Sequence, residues 1–314
     1  MNRQPDPSQE NWISILPGVS DALARGKPVV ALESTVITHG LPRPLNLEIA
    51  RRLEGEIQSA GAVPATIAIV QGEVRVGLDD GSLEALALDP QTIKASRREI
   101  ALAQARRLSA GTTVAATMAI AHQAGIEVFS TGGIGGVHRG GDGDISADLP
   151  ELCRTPVAVV CSGAKSILDL PRTLEWLETN AVPVIGWQTD ELPAFFSRSS
   201  GLGLDVRVDT IGELAAFIQL QWLVSPGHAV LVCVPCPEEA AMPRDEVERA
   251  LKKAEAEAGE RGVHGKALTP FLLSRLAEVT AGATLQANVA LLRNNARVGA
   301  ELAKALVQHR PIQP

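Results

Sequence analysis

Three kinds of side chain in this sequence stand where they could do chemistry. Lys165 follows the apolar run Val157-Ala-Val-Val-Cys161 through the small residues Ser162-Gly-Ala164. Its amine can attack a sugar aldehyde carbon or contact a phosphate, or it can pair with Asp169 one helical turn later. Glu33 ends a second apolar run, Pro28-Val-Val-Ala-Leu32, and leads into Ser34-Thr35. A glutamate there either caps a strand in solvent or acts as an acid, because open α/β sheets hold ligands at the carboxyl ends of strands. Asp144 and Asp148 offer hard oxygen ligands of the kind Mg²⁺ and Mn²⁺ prefer, while Asp142 reads as a solvated loop residue.

Around these residues lie the parts of a pocket. The cluster Thr131-Gly-Gly-Ile-Gly-Gly-Val-His-Arg-Gly140 clears room for backbone to approach a ligand. It is not a dinucleotide fingerprint. It follows a strand that follows a helix, and His138 stands where the third glycine belongs. Lys94, Arg97 and Arg98 surround Ser96, and they form either a phosphate cradle or a solvated helix face. The small, apolar stretch Gly111 to His122 reads as a buried helix with threonines at its start, where a bound anion is favoured.

The elements that must position these groups alternate along the chain. Continuous apolar runs at Pro28–Leu32 and Val157–Cys161 read as buried parallel strands, and Ile126–Phe129, Val182–Gly186 and Ala229–Val234 read as further strands. Ala65–Val70, Gly72 and Val74–Gly77 read as a hairpin. Helical patterns fill the intervals and the end of the chain, which carries Asn288, Asn294 and Asn295. The expected fold is α/β, a largely parallel sheet with helices on both sides. A flexible start over residues 1–15 precedes one domain over residues 16–314. Trp187 to Arg198 reads as a loop with exposed aromatics, lining either a pocket mouth or an oligomer interface, and His264 and Lys266 lie in a later loop.

Composition narrows the class. The formal charge is −7, with 29 basic and 36 acidic side chains, which argues against a general nucleic-acid binder. An anionic substrate then needs a local cluster of donors. No apolar run approaches the roughly 20 residues needed to cross a bilayer, and the polar start lacks a secretory core. Cys153, Cys161, Cys233 and Cys236 read as reduced thiols in a cytoplasmic protein, although Cys233 and Cys236 form a C-x-x-C.

Long motifs carry a family resemblance. Val30-Ala-Leu-Glu-Ser-Thr-Val-Ile-Thr-His-Gly40, Val63-Pro-Ala-Thr-Ile-Ala-Ile69, the glycine cluster from Ser130, Asp144-Ile-Ser-Ala-Asp-Leu149 and Gly163-Ala-Lys-Ser-Ile-Leu-Asp-Leu170 resemble pseudouridine-5'-phosphate glycosidase. That family also includes proteins named for indigoidine synthesis. The resemblance implies a homotrimer of three-layer α/β/α subunits with a mixed sheet and a divalent metal, typically Mn²⁺. It implies reversible, metal-dependent cleavage of pseudouridine 5'-phosphate with water to give uracil and ribose 5-phosphate. By the same resemblance Lys165 is the nucleophile forming an imine with C1' of the opened ribose, and Glu33 the proton donor. Asp144 binds the metal, while Lys94, Val114, Ser146, Ala147, Asp148 and Asn288 contact substrate, Asn288 holding the uracil. Two other readings share some of these residues. A different Schiff-base lyase of sugar phosphates would use Lys165 but give Asn288 no base to hold. A silent nucleotide-binding protein would have no use for Glu33 and Lys165 together.

Overall fold

The computed structural model describes residues 12–140, 143–263 and 268–308. Eleven strands form one sheet. In chain order they are β1 Ile13–Ile15, β2 Val29–Leu32, β3 Val63–Val70, β4 Glu73–Val76, β5 Ile93–Ala95 and β6 Ala110–Thr112. They continue with β7 Val128–Ser130, β8 Ala158–Cys161, β9 Val184–Trp187, β10 Val206–Val208 and β11 Val230–Cys233. Spatially the order is β1-β4-β3-β2-β7-β8-β11-β9-β10, with β6 on β3 and β5 on β6. Only the β3–β4 hairpin and the β3–β6 pair are antiparallel. The sheet is therefore mixed and largely parallel, as expected. Every residue of β2, β7, β8 and β11 is buried, which is why β2, β8 and β11 read as continuous apolar runs without alternation.

The helices are α1 Pro17–Ala24, α2 Leu45–Ser59, α3 Asp80–Leu88, α4 Ile100–Ala105, α5 Val114–Gln123 and α6 Asp148–Leu152. After them come α7 Leu170–Thr179, α8 Ile211–Val224, α9 Arg244–Glu260, α10 Leu268–Val279 and α11 Ala283–Gln308. Helix α11 packs on β2, β7 and β8 with α2 and α8 alongside, and α5 packs on β2, β3 and β7 with α6 alongside. Helices thus cover both faces of the sheet. Among the described residues no helix is long and apolar enough to cross a membrane.

Two expectations need correction. The flexible start does not reach residue 15, because Ile13–Ile15 pair in parallel with Val74–Val76 and bury Ile13. Residues 1–11 lie outside the described chain, as do Asp142, His264 and Lys266. The aromatics of the Trp187 to Arg198 stretch are buried rather than exposed. Phe195 and Phe196 pack edge to face with centroids 4.7 Å apart, and each is 2% exposed.

Candidate active site

Strands β2, β7 and β8 are neighbours, and their carboxyl ends deliver Glu33, Thr131 and, through a short turn, Lys165 to one cleft. The loops leaving β7 and β8 are zipped together by backbone bonds. Ser162 N–H donates to Gly132 O (2.8 Å), Ile134 N–H to Gly163 O (3.1 Å), Lys165 N–H to Ile134 O (3.1 Å) and Asp169 N–H to Val137 O (2.9 Å). The backbone of Lys165 is therefore set by the glycine loop beside it. Asp169 caps α7, accepting from the Arg172 N–H, so the expected alternative of a Lys165–Asp169 pair gives way to a helix cap. Asn295 of α11 clamps the same junction, its Nδ2 donating to Thr131 O (2.9 Å) and Ser162 Oγ (3.1 Å).

The cleft has two lobes that share Glu33, Thr35, Lys94, Lys165 and Thr269. The inner lobe is lined by His39, Phe195, Leu273 and Asn288, so apolar walls stand beside polar side chains. The outer lobe is lined by Lys94, Ser96, Arg97, Arg98, His138 and Arg154 together with Val114, Asp144, Ser146, Ala147 and Asp148. Lys94 and Lys165 face both lobes, the arginines line only the outer one, and the side-chain amide of Asn288 lines only the inner one.

Glu33 is 7% exposed and accepts a hydrogen bond on Oε1 from Thr131 Oγ1. Burial pushes its carboxyl above its ordinary value, and Asp148 nearby adds to the rise, while Lys165, the Thr131 bond and Lys94 pull the other way. A carboxyl of raised proton affinity beside a lysine is a pairing that acid and nucleophilic chemistry can use.

The outer lobe is built from buried anchors. Glu151 of α6 has no exposed side-chain surface, and its carboxylate takes Arg97 Nη1 (2.6 Å), Arg154 Nη2 (2.6 Å) and the Thr155 hydroxyl (2.5 Å). Both arginines remain about half exposed, so each presents its outer edge to the lobe. The Lys94, Arg97 and Arg98 cluster is no solvated helix face. Lys94 lies on β5, Arg97 and Arg98 lie on a 3₁₀ turn, and Ser96 and Glu99 close a capping box at its start. Val114 opens α5, whose Thr113 cap accepts from Ala116 N–H, and the positive end of this helix faces the same lobe.

Asp144 and Asp148 do not act as a pair. Asp148 is 6% exposed, and its oxygens accept from Gly135 N–H (2.8 Å) and Ala115 N–H (3.0 Å). It ties the glycine loop to the start of α5. Gly135 is needed for this approach, since a Cβ there would stand 2.1 Å from Ser146 Oγ and 2.8 Å from Asp148 Oδ2. The glycine makes room for the protein's own side chains. Asp144 is exposed at the outer lobe, and among the described residues no group of three His, Cys, Asp or Glu side chains gathers as a metal set. A lone accessible carboxylate beside a basic lobe suits a hard cation that keeps several of its waters, as Mg²⁺ does.

The cysteines form no such set either. All four are free, and Cys161 and Cys233 face each other on β8 and β11, deep in the core. The hydrogen bond with neighbouring Cys161, and then burial, push the Cys233 thiol well up, and burial raises that of Cys236 to about 11. Sequence reasoning brought Glu33, Lys94, Lys165, Asn288 and the Asp144–Asp148 segment to this cleft. It assigned no part to His39, Thr131, Glu151, Arg154 or Asn295. The signal for His39 was its place six residues after Glu33 in a Thr-His-Gly turn.

Residues 18–305 match a family model described as indigoidine synthase A like protein. A protein of Caldanaerobacter subterraneus subsp. tengcongensis named pseudouridine-5'-phosphate glycosidase is 52% identical over 308 residues, covering 98% of each chain. One of Symbiobacterium thermophilum with the same name is 53% identical over 301 residues, covering 94% of this chain and 97% of its own. Among solved structures, the prealnumycin C-glycosynthase AlnA in complex with ribulose 5-phosphate superposes with a TM-score of 0.88 at 40% identity, covering 97% and 98% of the two chains. An indigoidine synthase A-like protein of Thermotoga maritima gives 0.86, also at 40% identity, covering 94% and 96%.

Proposed function

The chain belongs to the indigoidine synthase A-like family, and on that premise we propose that it cleaves the carbon–carbon glycosidic bond of pseudouridine 5'-phosphate. The observation that carries the reading is the pairing of a buried glutamate with raised proton affinity and Lys165 at the junction of a basic lobe and an apolar one. The basic lobe suits a phosphate, the apolar lobe a pyrimidine, and the bond between sugar and base would cross the junction. The names of the relatives and the C-glycosynthase title of a structural neighbour support this chemistry.

A carbon leaving group is harder to expel than the oxygen or nitrogen of ordinary glycosides, so protonation alone is a weak lever. In the proposed route Lys165 Nζ bonds C1' as the C1'–O4' bond breaks and opens the ribose ring, with O4' taking up the proton that the attacking amine gives up. Glu33 delivers its proton to the base carbon. The C1'–base bond then breaks with its electron pair kept by the base, and the lysine nitrogen lone pair forms C1'=N⁺. Water hydrolyses that imine, releasing ribose 5-phosphate and free Lys165, so the sum is one water consumed and uracil set free. Lys94, the rim arginines, Ser146, Ala147 and the α5 start at Val114 hold the phosphate and sugar, and Asn288 holds the base. Asp144 would hold a divalent cation, expected to be Mn²⁺, which would supply positive charge and ordered water beside the phosphate. The subunit is proposed to work as a homotrimer in the cytoplasm.

The test is uracil release from pseudouridine 5'-phosphate, with and without chelator, followed by borohydride reduction in the presence of ribose 5-phosphate. The expected results are metal-dependent uracil release and a reduced adduct on Lys165. No uracil at any metal supplementation ends the reading, and labelling of another residue ends the imine role.

A further inference from the structure

Three residues after Glu33 the chain enters a π-helical turn, Val36–Gly40, a conformation frequent at functional sites. His39 lies on it, half-buried, and lines the inner lobe but not the outer one. Its ring is held by a short relay. Thr38 Oγ1 lies 3.1 Å from the carbonyl oxygen of Ser34 and 2.7 Å from His39 Nδ1. A carbonyl oxygen only accepts, and two oxygens this close without a proton between them repel, so the one hydroxyl proton of Thr38 lies toward Ser34. His39 Nδ1 is then the donor to Thr38, and Nε2 is the nitrogen with the free lone pair. The relay is built in from the opposite side as well. A Cβ at Gly111 of β6 would stand 2.2 Å from Thr38 Oγ1, so only glycine leaves the hydroxyl its place. Burial, helped by the charges of Lys94 and Arg43, lowers the proton affinity of the imidazole and keeps it neutral.

The inner lobe is better supplied with donors than with acceptors. Lys94 and Lys165 can only donate in their charged forms. Thr131 donates to Glu33 and Thr35 to Gly111 O, and Glu33 Oε1 is already engaged. A uracil joined to its sugar through carbon keeps both ring N–H groups, whereas one joined through nitrogen keeps a single one. Two ring donors call for two acceptors, and Asn288 Oδ1 supplies one. We propose that His39 Nε2 is the other, accepting a hydrogen bond from a ring N–H of the base and thereby selecting a C-linked pyrimidine over an N-linked one. This inference rests on the glycosidase reading and deepens it.

The experiment compares kcat/KM for pseudouridine 5'-phosphate and for its N1-methyl and N3-methyl derivatives in the wild type, His39→Ala and His39→Gln. With the parent substrate, His39→Ala is expected to lose roughly 10–100-fold, chiefly through KM, and His39→Gln to recover part through its amide oxygen. With one of the two methylated substrates the loss should shrink below about threefold, because that bond is already gone. Equal losses on all three substrates overturn the proposal alone. A wild type that releases no uracil from the parent removes the glycosidase reading and the proposal with it. Independently of turnover, nitrogen-15 spectra of the free enzyme should show His39 protonated on Nδ1, and Thr38→Val should shift it toward Nε2. A wild-type ring protonated on Nε2 overturns the proposal outright.

Discussion

Replacing Asp148 by asparagine tests whether this residue serves the substrate or the scaffold. The aspartate is 6% exposed and accepts from two backbone N–H groups, Gly135 at 2.8 Å and Ala115 at 3.0 Å. Asparagine is nearly the same size but keeps only one acceptor oxygen, so its NH₂ must face one of the two N–H donors. A hydrogen bond to a charged group contributes about 1.5–3 kcal/mol, and a neutral one about 0.5–1.5 kcal/mol. Losing one charged bond and reducing the other to a neutral one costs roughly 2–5 kcal/mol. At about 2–4 °C per kcal/mol for a domain approaching this size, the melting midpoint should fall by ~5–15 °C. Calorimetry gives the midpoint, and hydrogen exchange should show the Gly135 and Ala115 amides losing protection together. An Asp148→Asn protein that melts within about 2 °C of the parent and keeps both amides protected, yet has lost turnover, would refute the scaffold role. The aspartate would then belong to the substrate.

Two further outcomes follow from the charges at the site. Glu33 has its folded pKa raised above the ordinary 4.5, so the unfolded chain gives up this proton first as pH rises. Its contribution to stability is complete below that ordinary value and is lost as pH climbs through the raised one, and Glu33→Gln should remove this part of the pH dependence in urea melts. The acid's activity should fade over the same rise. Glu151→Gln leaves Arg97, Arg154 and Thr155 without their shared carboxylate and should cost about 3 kcal/mol in a urea melt. The KM should rise as well, most steeply at high ionic strength, and an unchanged KM would detach the rim arginines from phosphate binding.

Strands β2, β8 and β11 were legible because they are buried on both faces, which leaves an unbroken apolar record in the chain. Glu33 and Lys165 were legible for the same reason, since each ends such a run. What escaped depended on contacts across the fold. Asp148 and Asp144 look alike in sequence, and only the approach of Gly135 and Ala115 commits one of them to the backbone. Glu151 lies in Asp148-Leu-Pro-Glu-Leu152, which reads as an ordinary surface turn until Arg97 arrives from 54 residues away. The aromatics after Trp187 sit in an irregular stretch, where no periodicity marks which side is covered. The π-helical turn that seats His39 leaves no pattern of its own, because one added residue in a single turn has no period to detect.

Helix α11 has a consequence for the order in which the protein becomes competent. It supplies Asn288 to the inner lobe and Asn295 to the clamp on Thr131 and Ser162, and it packs across β2, β7 and β8. A ribosome has therefore made Glu33, Lys94 and Lys165 long before the wall that closes around them. Shorter nascent chains carry Glu33, Lys94 and Lys165 but not the helix that walls the inner lobe. A complete cleft should consequently arrive all at once, with the docking of a single helix.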